Sequence, residues 1–150
     1  MEKIETPLKD LYIFKPNVLG DNRGWFVESY SKKTFESLGI NIDFIQDNHS
    51  FSAQKGTLRG LHCQTNPKAQ TKLVRCTKGK LVDVVVDVRK GSPTYFKSFK
   101  IELTEDNHLM LLVPKGFLHG FITLTDNVEI QYKVNEYYSK ENDRSIKYND

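Results

Sequence analysis

The chain has 150 residues, of which 38% are hydrophobic and 27% charged, so it is long enough to bury one core and is typical of a single domain spanning residues 1–150. Its 22 basic and 19 acidic side chains nearly balance, which argues against a nucleic-acid-binding protein, while the net charge of +3 suits an anionic small molecule. The sequence contains no apolar run of membrane-spanning length and no secretory signal, and its two cysteines cannot form a disulfide framework. We therefore predict a soluble, cytoplasmic protein that has neither nucleic acid nor membrane as a partner.

Short alternating or apolar runs separated by turn signals recur along the chain, which is the pattern of an all-β protein. In chain order, the predicted strands are Leu11–Lys15, Trp25–Tyr30, Phe44–Phe51, Leu58–Gln64, Thr71–Cys76, Leu81–Arg89, Tyr95–Leu103, Leu109–Val113, Phe117–Thr123 and Val128–Val134. The turn residues between them favour antiparallel pairing. One helix is predicted at Lys32–Leu38, begun by Ser31 and ended by Gly39, and a second helical turn is predicted near Ser139–Asn142.

The strand predicted at Leu81–Arg89 carries two carboxylates. Period two places four valines on one face, which we expect to pack hydrophobically, and places Asp83 and Asp87 among apolar residues on the other. Such carboxylates point either to solvent or into a polar cavity, and this strand alone leaves both alternatives open. A small barrel with a ligand-holding mouth makes the cavity a natural choice.

Two segments resemble the paired motifs of cupins, small β-barrels whose usual form holds a metal with three histidines and one glutamate. They are GTLRGLHCQ at 56–64, followed by Lys72 and Gly79, and PKGFLH at 114–119. However, Gln64 stands where the metal-binding pattern has its second histidine, and Lys72 stands where it has the acidic ligand. Because an ammonium repels a cation and an amide is a poor ligand, we predict no metal and no other cofactor. The resemblance implies a cupin-like antiparallel β-barrel (jelly roll) with one or two short helices.

A longer series of spaced motifs resembles the dTDP-4-dehydrorhamnose 3,5-epimerase family. The motifs are RGWFVE at 23–28, QDNHS at 46–50, KGTLRGLHCQ at 55–64, PKAQTKLV at 67–74, DVVVDVRKGSPT at 83–94, PKGFLHGF at 114–121 and YKV at 132–134, with Tyr137 and Tyr138. The resemblance covers essentially residues 10–150. It implies an isomerase that inverts C3 and C5 of dTDP-4-keto-6-deoxy-D-glucose on the route to an L-sugar such as that of dTDP-L-rhamnose.

The residues fit this chemistry. Both carbons lie next to the C4 ketone, so a base can remove their protons to give an enolate and an acid can return them from the opposite face. A histidine with a pKa of about 6.5 and a tyrosine with a pKa of about 10 suit these two tasks, which makes His62 the candidate base and Tyr132 the candidate acid. Lys72 is the candidate for stabilising the charge on the C4 oxygen. Without the resemblance, a core role would be the better interpretation of either His62 or Tyr132.

Strand periodicity adds two structural expectations about this site. Alternation along Val128–Val134 places Tyr132 on one face with apolar neighbours, so its ring should point inward. Strict alternation would place Arg59 and His62 on opposite faces. Gly60, between them, can mark a bulge or a close backbone approach that lets both side chains reach one site.

The resemblance also implies which residues bind the nucleotide and the diphosphate. They are Arg23, Phe26, Glu28, Gln46, Asn48, Arg59, Lys72 and His119, with Tyr138 and Asp143 near the thymidine end. Arginine suits a diphosphate because its planar fork donates two parallel hydrogen bonds, and an aromatic ring can stack on a base. In the family the N-terminal strands exchange between subunits. The resemblance therefore implies a homodimer in which residues 23–28 complete the partner's site.

The match differs from the family at its C-terminal end. Members of the family generally continue beyond an acidic W-N-D-type segment, and that tail supplies an aspartate that orients the catalytic histidine, whereas this sequence closes with KYND at 147–150. We expect a shortened C-terminus in which Asp83, or as a second choice Asp87, replaces that aspartate. Three functions stay open: an active 3,5-epimerase, a related single-centre epimerase or isomerase of a dTDP-4-keto sugar, and a non-catalytic sugar-nucleotide-binding protein.

Overall fold

The computed structural model describes residues 1–147, most of which lie in strands or the turns between them. The strands are β1 (Glu2–Glu5), β2 (Tyr12–Lys15), β3 (Val18–Asp21), β4 (Gly24–Val27), β5 (Gln46–Ser52), β6 (Leu58–Gln64), β7 (Lys72–Lys78), β8 (Lys80–Asp87), β9 (Ser98–Thr104), β10 (Met110–Val113), β11 (Phe117–Thr123), β12 (Val128–Val134) and β13 (Asp143–Ser145). One α-helix, α1 (Lys32–Ser37), and one 3-10 turn (Lys140–Asn142) accompany them. Within the described residues, no helix is long and apolar enough to cross a membrane.

The strands form two large antiparallel sheets around one core. The six-stranded sheet has the order β1-β2-β10-β7-β12-β5, the five-stranded sheet has the order β13-β6-β11-β8-β9, and β3 and β4 form a separate hairpin. Buried side chains from both large sheets, among them Val74 and Ile130 from one and Val85 and Phe121 from the other, pack together. The predicted all-β antiparallel architecture with one or two short helices is confirmed.

Helix α1 begins and ends close to the predicted residues. The backbone N–H of Thr34 donates a 3.3 Å hydrogen bond to the hydroxyl of Ser31, and Gly39 follows the helix with a φ of +85°. Phe35 is the buried residue of the helix, and its ring stacks on Phe14 with 4.6 Å between the centroids. The helix thereby covers a second apolar cluster on the six-stranded sheet.

Three strands, β1, β3 and β13, were not predicted from the sequence. Each has only three or four residues, and none of those residues is buried. Backbone pairing with a neighbouring strand defines these segments, so they lack the apolar alternation on which the prediction relied.

Gly60 lies in a bulge between β6 and β11. His62 pairs with His119, but Arg59 pairs with Phe121, so two residues of β6 oppose a single residue of β11. Gly60 has a φ of +99°, and a Cβ atom there would lie 2.6 Å from the carbonyl oxygen of His119. Only glycine fits such a position. The bulge puts Arg59 and His62 on the same face of the strand, which confirms the expectation for Gly60.

Strand β8 buries the face that carries its carboxylates. Asp83 and Asp87 are both 0% exposed, as are Leu81 and Val85 between and beside them, whereas the valines of the other face are only partly buried. The expectation that the valine face forms the packed side of this strand is therefore wrong. Each carboxylate has at least one hydrogen-bonding partner in the interior, described below.

Candidate active site

A cavity of about 420 Å³ brings together the three residues predicted to carry the chemistry. His62 enters it from β6, Lys72 from β7 and Tyr132 from β12. Strands β7 and β12 are neighbours in the six-stranded sheet, whereas β6 belongs to the opposing sheet, so the reactive groups face one another across the interior. The remaining lining residues are Gln46, Asn48, Gly60, Cys63, Gln64, Gln70, Tyr138, Asp143 and Ser145.

His62 is a neutral imidazole at neutral pH. Burial, together with the charges of Lys72 and His119, lowers the pKa of His62 to about 4, against a smaller opposing effect of Asp143. The rings of His62 and His119 lie 6.2 Å apart between centroids. Within residues 1–147 the ring of His62 makes no hydrogen bond, so both of its nitrogens are available to a ligand.

Lys72 presents a buried ammonium to the cavity. The residue is 6% exposed, and its Nζ lies 5.9 Å from the ring centroid of Tyr132. Burial lowers the pKa of Lys72, and the charge of Asp83 is the strongest effect in the opposite direction. No hydrogen bond to this ammonium is formed by the part of the chain that the structure describes. Its three donors are therefore open to a bound anion or ketone.

Tyr132 points inward, as its position in β12 predicts. Its ring packs against the main core near Ile130, and it also lines the cavity. Tyr132 pairs with Asn48 on β5 and with Val74 on β7. This position gives the phenol a fixed place on the wall opposite β6.

Asp83 contacts His119 and not His62, so the expectation that it orients His62 is wrong. Nε2 of His119 lies 2.7 Å from Oδ1 of Asp83, and the two side chains are 7% and 0% exposed. The reason is the order of strands, because β11 lies between β6 and β8 in the sheet. A carboxylate on β8 therefore reaches the histidine of the intervening strand first.

The second choice, Asp87, is also committed elsewhere. It accepts hydrogen bonds from Nε and Nη2 of Arg89 at 3.0 Å each and from the hydroxyls of Ser92 and Thr94 at 2.6 Å each. Arg89 continues to Asp10, 2.8 Å away. This network ties the end of β8 to the loop before β2 and does not reach the cavity.

Gln64 holds a loop in place. Its Nε2 donates to the carbonyl oxygens of Lys68 at 2.6 Å and Tyr137 at 3.1 Å, and its Oε1 accepts from the backbone N–H of Ser139 at 2.9 Å. The amide at the position of a cupin ligand thus fixes the segment that carries Tyr138. Within residues 1–147, no group of three or more His, Cys, Asp or Glu side chains is arranged to hold a metal ion.

Four of the predicted nucleotide-binding residues besides Lys72 line the cavity. Nε2 of Gln46 donates to Oδ1 of Asn48 at 2.9 Å, and the hydroxyl of Tyr138 donates to Oδ2 of Asp143 at 3.3 Å. The strand β13, which pairs with β6, brings Asp143 and Ser145 to the site. Ser145 was missed because β13 itself has no sequence signal.

Arg59 and His119 face the same side as His62 but do not line the cavity. Arg59 donates from Nε to the hydroxyl of Ser52 and from Nη2 to the carbonyl oxygen of Phe51, both at 3.0 Å. His119 is 6% exposed and lies beside His62. His119 therefore adjoins the site from the buried interior of the sheet, and Arg59 adjoins it from the more exposed edge of the cavity.

Arg23, Phe26 and Glu28 lie outside the cavity of their own chain. Arg23 is paired with Asp21 at 2.7 Å, and its side chain is 86% exposed. Phe26 is 67% exposed, and Glu28 accepts a 3.4 Å hydrogen bond from the hydroxyl of Thr34. A single chain does not bring these residues to His62.

Comparison with known proteins gives one consistent result. Residues 5–150 match the family model described as dTDP-4-dehydrorhamnose 3,5-epimerase. A protein of that name from Shigella flexneri is 49% identical over 151 residues, which cover 100% of this chain and 83% of the relative. The crystal structure of the Bacillus anthracis epimerase with TDP and PPi bound superposes with a TM-score of 0.97 at 51% identity, covering 99% of this chain and 85% of that one. A Legionella pneumophila epimerase in complex with dTDP-4-keto-L-rhamnose gives a TM-score of 0.93 at 43% identity, covering 98% and 78%.

Proposed function

Because the chain belongs to the dTDP-4-dehydrorhamnose 3,5-epimerase family, we propose that it inverts C3 and C5 of dTDP-4-keto-6-deoxy-D-glucose to give dTDP-4-keto-L-rhamnose. The observation that carries this proposal is the shared cavity of His62, Lys72 and Tyr132. An imidazole, an ammonium and a phenol around one space are the groups that proton exchange beside a ketone requires.

His62 is the base. Its pKa of about 4 keeps the imidazole unprotonated through the neutral range, so it can accept the proton of C3 or C5. The same low pKa makes it a weak base. The activity therefore depends strongly on stabilisation of the enolate.

Lys72 supplies that stabilisation. Removal of a proton next to the ketone moves negative charge onto the C4 oxygen, and a fixed ammonium binds this oxyanion more strongly than the neutral ketone. Because Lys72 is 6% exposed, little water screens its charge. The unused donors of Lys72 are thus placed to lower the barrier to proton removal.

Tyr132 is the acid. It stands on β12, in the sheet opposite the one that carries His62, so a sugar ring between them has a base on one face and a phenol on the other. Return of a proton from Tyr132 to the carbon that His62 deprotonated inverts the centre. A single base on one face would return the original configuration.

We also propose a homodimer in which the β3–β4 hairpin of each subunit completes the site of its partner. The hairpin exposes Leu19, Trp25 and Phe26 by 61–67% and projects Arg23 away from its own cavity. Mixing inactive R23A with inactive H62A should restore activity if the sites are shared.

Both cysteines are free thiols, which fits the cytoplasmic location that we propose.

Solvent exchange tests the function directly. The protein is incubated in D₂O with dTDP-4-keto-6-deoxy-D-glucose, and deuterium at both C3 and C5 is the expected result. Deuterium at one carbon would instead indicate a single-centre epimerase, and bound dTDP with no exchange would indicate a binding protein. H62A and Y132F should lose labelling while they still bind dTDP, whereas H49A, at an exposed histidine, should label normally. Unchanged labelling in both H62A and Y132F would reject the assignment.

A further inference from the structure

Asp83 has an oxygen atom with no partner, although it lies in the interior. Oδ1 forms the hydrogen bond with Nε2 of His119, but Oδ2 is the one fully buried side-chain N or O atom within residues 1–147 without a hydrogen bond. An unsatisfied buried polar atom costs about 1–3 kcal/mol, and more when it is charged. Its retention therefore points to a use other than stability.

We propose that Asp83 is a positioning residue of the epimerase cavity, which holds His119 by Nε2 and balances the ammonium charge of Lys72. This inference rests on the proposed function. It replaces the expectation that Asp83 orients His62.

The contact with His119 fixes the protonation pattern of that ring. A carboxylate accepts hydrogen bonds, so Nε2 of His119 carries a proton whether the ring is neutral or cationic. Nδ1 is then the nitrogen that can accept a hydrogen bond when the ring is neutral, and it makes none to residues 1–147. The ring that Asp83 orients lies beside His62, across the β6–β11 pair. Asp83 thus determines which nitrogen of His119, whose ring lies beside His62, carries the proton.

The effect on Lys72 is electrostatic. Three groups favour its charged form, Asp83 most strongly and then Cys63 and Asp143, and they act against burial. Cys63 and Asp143 line the cavity and act more weakly than Asp83, while the neutral ring of His62 and the phenol of Tyr132 balance no positive charge. Asp83 is therefore the main counter-charge of the ammonium. Its removal should leave less of the charged lysine at a given pH.

Asp87 provides a matched control for the test. It lies on the same face of β8, four residues away, and is likewise 0% exposed, but none of its hydrogen-bonding partners lines the cavity. We expect D83N to lower kcat roughly tenfold to a hundredfold, the range found when a group that orients a reactive residue is removed, with little change in KM. The basic limb of the kcat/KM profile should move to lower pH. D87N should leave both properties per folded molecule unchanged.

The basic limb of such a profile can also report a group other than Lys72, so the comparison is repeated in a K72M background. There, D83N should move the limb no further. A D83N profile that coincides with wild type, or a D87N profile that shifts as much, would overturn the proposal. A D83N substitution that still moved the basic limb by the full amount in the K72M background would also overturn the proposal.

Ring ¹⁵N NMR tests the contact without relying on activity or on a foldable D83N. The resonance of His119 among the four histidines is assigned by its loss in H119Q. We expect wild-type His119 to carry its proton on Nε2. A neutral wild-type ring protonated on Nδ1 would overturn the proposal. If wild type lacked epimerase activity, the function would fail separately, and this spectrum would still decide the contact.

Discussion

The two buried aspartates of β8 share a strand, a face and a complete loss of solvent contact, yet they lie in opposite surroundings. Asp87 accepts hydrogen bonds from Arg89, Ser92 and Thr94, so both of its oxygens are used. Asp83 has one hydrogen bond, to His119, and one unpartnered oxygen. A carboxylate such as Asp87, with hydrogen bonds to both oxygens, stabilises the fold. A carboxylate such as Asp83, with one oxygen unbonded, can instead influence the charged groups near the cavity.

The pKa shifts of Asp87 and of the cavity residues show the same difference between the two regions. Although burial alone raises the pKa of Asp87, the hydrogen bonds from Arg89, Ser92 and Thr94 hold it well below its usual range. The cavity shows the opposite pattern, since burial lowers the pKa of both His62 and Lys72 with no hydrogen bond to offset it. The carboxylate with many hydrogen bonds, Asp87, thus lies at the C-terminal end of β8, and the carboxylate with one hydrogen bond, Asp83, lies four residues earlier, on the side of the cavity charges.

Removing the ammonium should give the largest effect. K72M deletes the charge that stabilises the enolate, so we expect kcat to fall about 10²–10³-fold, as when one oxyanion donor is lost. The same change relieves the cost of burying the ammonium but removes the main counter-charge of Asp83, and because these two effects oppose each other we expect the free energy of unfolding to change by less than about 1 kcal/mol. Substrate kinetics and urea unfolding measure the two.

R89M is the counterpart of K72M at the other end of β8. It should lower stability, because it leaves Asp87 without its cation, and it should leave the kcat of the folded protein unchanged. If K72M kept full activity, or if R89M lost activity without losing stability, the division between the two ends would be wrong.

D87N should cost roughly 2–4 kcal/mol at pH 7, because Arg89 loses a buried partner and an amide accepts fewer hydrogen bonds. The pKa of Asp87 is lower in the folded state than its value of about 3.9 in the unfolded chain. Its contribution is therefore complete above about pH 4 and is lost as the pH falls towards the folded pKa. Urea unfolding at pH 7 and pH 3 should show the gap to wild type narrowing in acid. A constant gap would contradict the role of the charge.

Local pattern predicted much of this arrangement, and non-local pairing determined the rest. The inward ring of Tyr132 follows from period two in β12, and the helix follows from Ser31 and the run after it. The partner of Asp83 does not follow from local pattern, because it depends on β11 inserting between β6 and β8, and that strand lies far away in sequence. Alternation within one strand predicts that Asp83 and Asp87 share a face, but it does not predict that His119 of β11 is the partner of Asp83.

Two further features were beyond the sequence for related reasons. The sequence presents Gln64 only as a residue that replaces a metal-binding histidine, whereas its three hydrogen bonds to Lys68, Tyr137 and Ser139 depend on loop positions that no periodicity encodes. The position of Arg23 outside its own cavity reflects a hairpin that pairs only with itself in the single chain. In both cases tertiary contacts, and not residue type, decide the role.

Acid should destabilise the protein through His62, which enters the cavity from β6. The pKa of His62 is about 4 in the folded state and about 6.5 when unfolded, so the unfolded chain binds more protons between these values. Stability should therefore fall by roughly 2–3 kcal/mol as the pH drops from 6.5 to 4, and H62Q should remove that part of the loss. Unfolding curves of wild type and H62Q that stay parallel over this range would show that the ring is not desolvated as described.

The smallest effect is expected where the carboxylate has the most partners. T94V removes one hydroxyl from Asp87 and keeps the side-chain shape, and Oδ2 retains its bonds to Arg89 and Ser92, so we expect a loss of about 1 kcal/mol with unchanged kcat. S92A combined with T94V should cost more than the two single changes added together, because it leaves Arg89 as the one side chain among residues 1–147 that donates to this buried charge. A double-mutant cycle of urea unfolding measures this coupling. Strict additivity would mean that Ser92 and Thr94 act independently on Asp87. The several donors of Asp87 would then not cooperate, and in that respect Asp87 would not differ from Asp83, which has a single hydrogen bond.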